Sequence, residues 1–387
     1  MFELAERITK LPPYLFKDMD QKINEMVKKG VDVINLGIGD PDLPTPVKIV
    51  DSMMEAIRDP KNHHYPSYTG MEEFIASIGK WYDQRFSVSL DPKNEILALI
   101  GAKEGVAHLP LAFINPGDIV LITSPSYPVY NSGTLFAGGE PYFLPLIKEN
   151  DFMPDLSSIP KNIKEKAKML WLNYPNNPTS AVATKEFFED TVDFARENNI
   201  LLCHDLTYSE IAFDNYRPIS ILEIEGAKDV CIEFHSLSKT YSMTGWRIGF
   251  AAGNKEAIKG LGLIKSNIDS GIFQAIQIAG IEALRLYEES NEQIKEVYKR
   301  RRDVMVQKLQ ESGFTLNKPK ATFYLWIPIP HSYTSVSFAE RLLTEAGVVV
   351  TPGNGFGRPG EGYIRLALTQ NEERLIEAAD RIKNIEL

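Results

Sequence analysis

The sequence has little cysteine, no excess of positive charge and no recognisable set of metal ligands. The two cysteines, Cys203 and Cys231, lie in apolar segments typical of buried strands, which indicates core residues in a reducing compartment. The six histidines lack the spacing of a metal site, so we expect no bound metal. With 42 basic and 52 acidic residues, the formal net charge is −10. This balance argues against a basic nucleic-acid-binding surface, and we expect no nucleic-acid partner.

Long hydrophobic runs are also missing. No stretch approaches the roughly 18 consecutive apolar residues that a membrane-spanning helix needs. The first ten residues do not show the charged and then apolar pattern of a secretion signal. We therefore expect a cytoplasmic protein that has no membrane partner.

What the sequence does contain is a regular alternation of short apolar segments, rich in β-branched residues, with longer amphipathic segments. Strands that alternate with helices favour the α/β class, with a largely parallel sheet and helices on both faces. The predicted strands cover residues 96–100, 119–123, 141–144, 169–173, 200–204, 230–234 and 248–252.

The alternation ends near residue 285, and a smaller α+β unit is predicted beyond it. The N-terminal arm lacks the alternation and is assigned to this smaller unit. We therefore predict a large domain over residues 45–285 and a small domain formed by residues 1–44 and 286–387. The elements expected in the last part are a helix at 288–312, a strand at 323–327, a helix at 335–346, a strand at 363–368 and a helix at 372–385.

The most informative segment covers residues 235–249 and follows a predicted strand. It brings Ser236, Ser238, Lys239 and Arg247 to the carboxyl end of that strand, where open α/β sheets bind ligands. Hydroxyl, ammonium and guanidinium groups are donors suited to a phosphate. A neutral lysine amine can also bond to an aldehyde carbon. A lone Ser-Lys pair is more often a surface turn, but the whole string is much less frequent by chance.

This segment resembles the cofactor-lysine signature of the fold-type I pyridoxal-phosphate enzymes, the class I/II aminotransferases. The resemblance implies a large domain with a mostly parallel seven-stranded sheet, and pyridoxal 5'-phosphate bonded to Lys239. It also implies phosphate contacts from the segment 101–105, at Ala102 and Lys103. Small residues at the start of a helix let backbone N–H groups reach an anion, which the helix dipole favours.

Further motifs of that family follow in order along the chain. Asn177 lies in an Asn-Pro loop and would bind the phenolic oxygen of the cofactor together with Tyr208; Ser180 stands where the family has glycine. Taken alone, the loop is equally well explained as a simple turn. Asp205 would face the pyridine nitrogen, because a carboxylate keeps that nitrogen protonated and the ring a good electron sink. Without the resemblance, an aspartate at this place would be a helix cap.

Aromatic and basic residues complete the implied site. Tyr127 would stack on the cofactor ring, whereas a core position is a serious alternative for Tyr130. Arg365 would bind the substrate α-carboxylate through two parallel hydrogen bonds, although an arginine in a strand is usually solvated. The backbone of Gly39 would lie close to the substrate. Tyr65 would reach the cofactor phosphate of a second subunit, which implies a homodimer with shared active sites.

Narrower features, including the segments 11–16 and 36–42, resemble the LL-diaminopimelate aminotransferases. Those enzymes make LL-2,6-diaminopimelate from tetrahydrodipicolinate with glutamate as the amino donor. The resemblance implies substrate contacts from Tyr14, Lys103, Tyr127 and Asn177. Tyr14 has an equally good alternative role as a hydrophobic staple before the next helix.

Two other functions remain open at this point. The first is another reaction on the same fold, either an aspartate, alanine or aromatic aminotransferase or a lyase acting on a β-substituted amino acid. The second is a non-catalytic regulator built on an aminotransferase-like domain. The regulator is disfavoured, because such fusions usually carry a DNA-binding domain and the sequence has no residues to spare for one.

Overall fold

The structure, a computed structural model, describes residues 2–11 and 17–385. Within that part the chain forms strands in three sheets. The strands are β1 (Ile34–Asn35), β2 (Ile96–Leu99), β3 (Ile119–Ser124), β4 (Glu140–Pro145), β5 (Ala167–Asn173), β6 (Leu201–Asp205), β7 (Cys231–Ser236), β8 (Gly249–Gly253), β9 (Tyr324–Pro328), β10 (Val348–Val349), β11 (Thr351–Pro352) and β12 (Tyr363–Ala367).

Helices surround the sheets, and none that the described part contains is both long and apolar enough to cross a lipid bilayer. The α-helices are α1 (Glu6–Thr9), α2 (Lys17–Lys28), α3 (Val47–Ala56), α4 (Glu72–Phe86), α5 (Ala102–Phe113), α6 (Val129–Phe136), α7 (Lys161–Lys164), α8 (Lys185–Asn198), α9 (Ala227–Val230), α10 (Leu237–Thr240), α11 (Lys255–Ser266), α12 (Gln274–Arg285), α13 (Tyr287–Glu311), α14 (Ser335–Ala346) and α15 (Glu372–Lys383).

The central sheet has seven strands in the order β2-β8-β7-β6-β5-β3-β4. All seven predicted strands are present, and the prediction of a mostly parallel α/β sheet is confirmed. Only β8 runs against its neighbours, pairing antiparallel with both β2 and β7. The strand predicted at 230–234 is shifted toward the carboxyl end, because Val230 closes α9 and pairing continues to Ser236.

Helix ends can be predicted from sequence where capping residues flank the apolar pattern. The helix predicted at 335–346 is found with those bounds. The Thr334 hydroxyl accepts a hydrogen bond from the Ser337 backbone, and Gly347 ends the helix with a φ of 66°. A residue without a β-carbon adopts this left-handed conformation at little cost.

The apolar core falls into three clusters. Two pack on opposite faces of the central sheet, and both unpaired cysteines are buried there. The third joins the antiparallel sheet β11-β12-β9 to α14 and α15, and it includes Ile34 of the N-terminal arm, whose strand pairs in parallel with β10. This packing favours assigning the arm to the small domain; the boundaries near residues 44 and 286 stay predictions.

The carboxyl ends of three adjacent strands fix the position of the functional site. β5 ends at Asn173, β6 at Asp205 and β7 at Ser236, and these strands pair in parallel with one another. Side chains that follow them therefore meet at one edge of the sheet, as the chain pattern predicted.

Candidate active site

A cavity of about 500 Å³ lies at this edge of the sheet, between it and the segments around β1, β9 and β12. Most of the predicted site residues meet there. Those that line the cavity are Gly39, Ala102, Lys103, Tyr127, Asn177, Asp205, Tyr208, Ser236, Ser238, Lys239, Arg247 and Arg365.

Two predicted residues are not among them. Tyr65 does not line the cavity, and its side chain is 88% exposed. A contact of Tyr65 with the site of its own chain is therefore not observed, and a role toward a second subunit stays a prediction. Tyr14 lies outside the described residues.

Lys239 projects into the cavity from α10, directly after β7. Its Nζ donates a hydrogen bond of 3.2 Å to the carbonyl oxygen of Gly39. Burial lowers the pKa of Lys239 from 10.5 to about 8; the Asp40 carboxylate opposes the shift and the Arg247 guanidinium adds to it. A substantial fraction of the amine is therefore neutral near pH 8, and a neutral amine is the nucleophilic form.

Asp205 is held in place by hydrogen bonds at the end of β6. One carboxylate oxygen accepts from the Tyr130 hydroxyl at 2.8 Å, and the other accepts from the Thr207 backbone at 3.1 Å and from the Thr207 hydroxyl. The Asn173 amide donates to the Asp205 carbonyl at 2.7 Å. These hydrogen bonds fix the direction of the carboxylate and the backbone that carries it.

Tyr130 and Thr207 are functional neighbours that sequence reasoning missed. Tyr130 is fully buried and stacks on Trp171 with ring centroids 5.0 Å apart, as a core tyrosine would. Its contact with Asp205 joins residues 75 positions apart, and no local pattern reveals such a pair. Thr207 carried a usable signal, since an aspartate often accepts a hydrogen bond from the residue two positions later.

Another aromatic residue of the cavity wall, Tyr324, contacts Tyr208 directly, and their hydroxyl oxygens are 3.0 Å apart. Burial raises the pKa of Tyr208 well above its ordinary value, so its phenol remains protonated and can donate. A β-carbon at Gly39 would lie 2.0 Å from the Tyr324 hydroxyl. A side chain at position 39 would therefore require Tyr324 to move, and the Gly39 backbone borders the cavity. Its closeness to the substrate stays a prediction.

Arg365 is buried, in contrast to the solvated position that is usual for an arginine in a strand. Its Nη1 donates to Asn177 Oδ1 at 2.7 Å and its Nη2 to the Gly37 carbonyl at 2.7 Å. The guanidinium carbon lies 4.2 Å from the ring centre of Tyr324 and 4.6 Å from that of Phe356. Within the described chain, Nε has no hydrogen-bond partner. The group is therefore oriented by the protein and retains donor capacity for a carboxylate.

The start of α5 forms a cradle suited to a phosphate. Gly101 precedes the helix with a φ of +76°, and a β-carbon there would lie 2.3 Å from Arg247 Nη2. The guanidinium thus packs directly on the backbone at the helix start. Ser236 and Ser238 border the same end of the cavity. Backbone N–H groups at a helix start, two hydroxyls and a guanidinium together favour a dianionic ligand.

Two further charges line the cavity without forming a hydrogen bond or ion pair with any described residue. They are the carboxylate of Asp40 and the ammonium of Lys103. Sequence reasoning identified Lys103 but missed Asp40, which lies next to the predicted Gly39. An acid and a base that remain unpaired in one cavity are available to a ligand carrying the opposite charges.

One cavity thus combines a partly neutral lysine, an oriented carboxylate and a buried arginine. The amino-acid sequence also matches a known protein family. Residues 31–382 match the family model described as "Aminotransferase class I and II". The chain belongs to the class I and II aminotransferases. The resemblance noted from the motifs is thereby confirmed.

Within this family, the chain is similar over its full length to enzymes of one named group. The chain is 56% identical over 387 residues to the LL-diaminopimelate aminotransferase of Aquifex aeolicus (strain VF5), covering 100% of both chains. It is 54% identical over 384 residues to the enzyme of that name from Syntrophobacter fumaroxidans, covering 99% of each. These matches extend over the whole aminotransferase chain and leave the alternative of a non-catalytic regulator without support.

Solved structures share the fold of this aminotransferase. Substrate-bound BacF from Bacillus subtilis superimposes with a TM-score of 0.94 at 39% identity, covering 99% of this chain and 98% of that one. A single mutant of the Thermus thermophilus aspartate aminotransferase gives a TM-score of 0.92 at 30% identity, with 98% and 99% covered. The predicted fold type is confirmed.

Proposed function

We propose that this aminotransferase interconverts LL-2,6-diaminopimelate plus 2-oxoglutarate with tetrahydrodipicolinate plus glutamate. The observation that carries the proposal is one cavity in which Lys239, Asp205 and Arg365 converge, in a chain 51–56% identical to enzymes named LL-diaminopimelate aminotransferase. The aspartate aminotransferase fold is shared at lower identity. Reaction on aspartate is therefore the alternative outcome of the test below.

We infer that the cofactor is pyridoxal 5'-phosphate, because the donor set of the cavity fits its parts. Ala102, Ser236, Ser238 and Arg247 would hold the phosphate, and Lys239 would bond to the aldehyde carbon. Asp205 would face the ring nitrogen, with Tyr127 against the ring and Asn177 and Tyr208 toward the phenolic oxygen. When bound, the cofactor supplies an electron sink for the charge that develops at the substrate α-carbon.

The protein residues would then divide the remaining work. Arg365, fixed by Asn177 and Gly37, binds the α-carboxylate and so orients the α-carbon toward Lys239. The Lys239 amine takes the α-proton as a base and later returns a proton as an acid, a role that suits a pKa of about 8. Because each substrate uses the same lysine in turn, ping-pong kinetics are expected.

The unpaired charges at Asp40 and Lys103 support a substrate with a second amino-acid head group. LL-2,6-diaminopimelate carries both an ammonium and a carboxylate at its far end. Asp40 would pair with that ammonium and Lys103 with that carboxylate. Glutamate, which carries only a distal carboxylate, would use Lys103 alone.

We further infer a homodimer with shared active sites, in which Tyr65 reaches the cofactor phosphate of the neighbouring subunit. The support is the exposure of Tyr65 on a chain whose own cavity it does not line. Mixing inactive Tyr65→Ala and Lys239→Ala subunits should restore part of the activity, because each hybrid contains one intact site. No regain, under conditions where subunit exchange is demonstrated, would contradict shared sites.

The substrate proposal is tested with purified protein supplied with pyridoxal 5'-phosphate. Incubation with LL-diaminopimelate and 2-oxoglutarate should produce glutamate, and a Lys239→Ala control should produce none. Aspartate, alanine and aromatic amino acids are assayed alongside at equal concentration. Faster turnover of aspartate would replace the proposed substrate, and failure to gain visible absorption with the cofactor would refute the cofactor assignment.

A further inference from the structure

A buried carboxylate outside the cavity, that of Glu233, is surrounded by donors. Glu233 lies on β7 and is fully buried. Burial alone would raise the pKa of Glu233, but the hydrogen bonds and charges of His204 and His235 outweigh it and hold the pKa well below its ordinary value. The donors are the hydroxyls of Tyr82 (2.9 Å) and Ser220 (2.7 Å), the rings of His235 (3.0 Å) and His204 (2.8 Å), and the backbone of Ile221 (2.9 Å).

The His204 ring contacts, at both nitrogens, oxygen atoms that can only accept. Nδ1 lies 2.8 Å from Glu233 Oε2, and Nε2 lies 3.0 Å from the carbonyl oxygen of Tyr174. Neither an ionised carboxylate nor a carbonyl has a hydrogen to donate, so both contacts are hydrogen bonds only when each ring nitrogen carries a hydrogen. With both hydrogens in place, His204 and Glu233 form an ion pair inside the protein, where both side chains are fully buried.

This ion pair lies next to the backbone segments that carry Asp205 and Asn177 of the candidate active site. His204 immediately precedes Asp205 on β6, and its ring reaches across to the segment that follows β5. At the end of β5, directly before that segment, the Asn173 side chain donates to the Asp205 carbonyl and accepts from the Asn177 backbone, both at 2.7 Å. The bond from His204 to the Tyr174 carbonyl therefore fixes the segment that orients Asn177 relative to Asp205.

The same carboxylate connects these strands to the lysine. Glu233 precedes Lys239 by six residues, and its second oxygen accepts from His235, the neighbour of Ser236. The carboxyl ends of β5, β6 and β7 are thus linked by one buried charge pair in addition to their backbone pairing. Asp205 is the last residue of β6, whereas Asn177 and Lys239 follow the ends of β5 and β7.

We propose that Glu233 is a positioning residue, which keeps His204 doubly protonated and thereby holds Asp205 and Asn177 in register with Lys239. Glu233 touches none of the reacting atoms and acts through His204. An uncharged residue of the same shape would fill the space but could not stabilise the imidazolium.

The protonation of His204 can be observed without any activity measurement. The chain has six histidines, so ¹⁵N-histidine labelling gives a small set of ring signals, and His204→Gln identifies the relevant one. At pH 8 we expect two protonated ring nitrogens for His204, both with and without cofactor. A ring with one bare nitrogen would overturn the proposal.

Glu233→Gln tests the positioning itself. An amide offers one acceptor oxygen and turns an NH₂ group toward donors, so His204 loses its counter-charge. We expect kcat to fall at least tenfold and the cofactor to bind more weakly. The KM for the amino acid should change by a smaller factor than kcat, because Arg365 keeps its bond to the Gly37 carbonyl and its contacts with the Tyr324 and Phe356 rings even if Asn177 moves.

A matched control separates positioning from general stability. Leu375→Ala opens a cavity in the small-domain core, far from these strands, and should lower the melting temperature while leaving kcat unchanged. The proposal is refuted if Glu233→Gln keeps the kcat of the wild type, or if both variants lose kcat equally. If Glu233→Gln does not fold, the protonation of His204 measured by NMR in the wild type decides. The kcat comparison depends on the proposed function only through the choice of substrate. A wild type inactive on LL-diaminopimelate would refute that substrate, and the comparison would use an amino acid that it accepts.

Discussion

Replacing Lys239 by methionine should make the cofactor-free protein more stable, and the gain should shrink as the pH rises. Methionine is close to lysine in shape but carries no charge. The native pKa of Lys239 is about 8, against 10.5 for the ordinary amine. Keeping the buried amine protonated at pH 7 therefore costs about 3 kcal/mol, which the substitution removes.

The pH dependence follows from the direction of this shift. Between pH 8 and 10.5 the unfolded chain binds more protons at this lysine than the native chain does, so native stability rises with pH across that window. The penalty is fully present below the native pKa and falls to roughly 1.5 kcal/mol at pH 9.5. The advantage of Lys239→Met should therefore shrink by about 2 kcal/mol between pH 7 and pH 9.5.

Urea unfolding of the cofactor-free protein, followed by tryptophan fluorescence at constant ionic strength, measures this difference. Lys161→Met is the control: that side chain is 90% exposed, so its charge is hydrated in both states and its removal should give no pH-dependent gain. An equal advantage of Lys239→Met at the two pH values would refute a buried amine with a lowered pKa.

Three further outcomes are expected. Arg365→Lys replaces the planar guanidinium and loses at least one of the bonds to Asn177 and Gly37. Transition-state stabilisation should fall by about 3 kcal/mol, so steady-state assays should show kcat/KM lowered roughly a hundredfold. A loss below threefold would contradict carboxylate binding by this residue. Tyr130→Phe removes one donor to Asp205, and spectroscopic titration should show cofactor binding weakened by about 1 kcal/mol; unchanged affinity would show that this contact does not support Asp205. Asp40→Asn, assayed at pH 9 where Lys239 is neutral, should lower kcat/KM about tenfold for LL-diaminopimelate but less than twofold for glutamate; equal losses would contradict a distal ammonium site.

The parts of the fold that sequence predicted are those fixed by local pattern. The seven buried strands have continuous apolar segments, and α8 and α14 have capping residues at Thr184 and Thr334. Strand direction depends on partners far along the chain. The reversal of β8 against β2 and β7 therefore has no local signature, although it was compatible with a mostly parallel sheet.

The candidate site divides in the same way. Lys239, Asp205 and Asn177 follow predicted strands, so topology alone brings them to one edge of the sheet. Tyr324, in contrast, lies in β9 of the three-stranded sheet, and its place in an apolar segment predicts only a core residue. Its contact with Tyr208 depends on how β9 packs against the large sheet, which no periodicity encodes. Asp40 is similar, since only the cavity shows that its charge is left unpaired.

The hydrogen bond between Arg365 and Gly37 spans 328 positions, and that between Lys239 and Gly39 spans 200. During synthesis on a ribosome, the central sheet up to β8 can form before the last third of the chain has emerged. Arg365, the residue proposed to bind the substrate carboxylate, arrives only with β12, after every strand of the central sheet. A nascent or truncated chain can therefore build the lysine and aspartate side of the cavity while it still lacks Arg365. The proposed site is therefore complete only after the segment around Gly37, which is made early, has met β12, which is made after the central sheet.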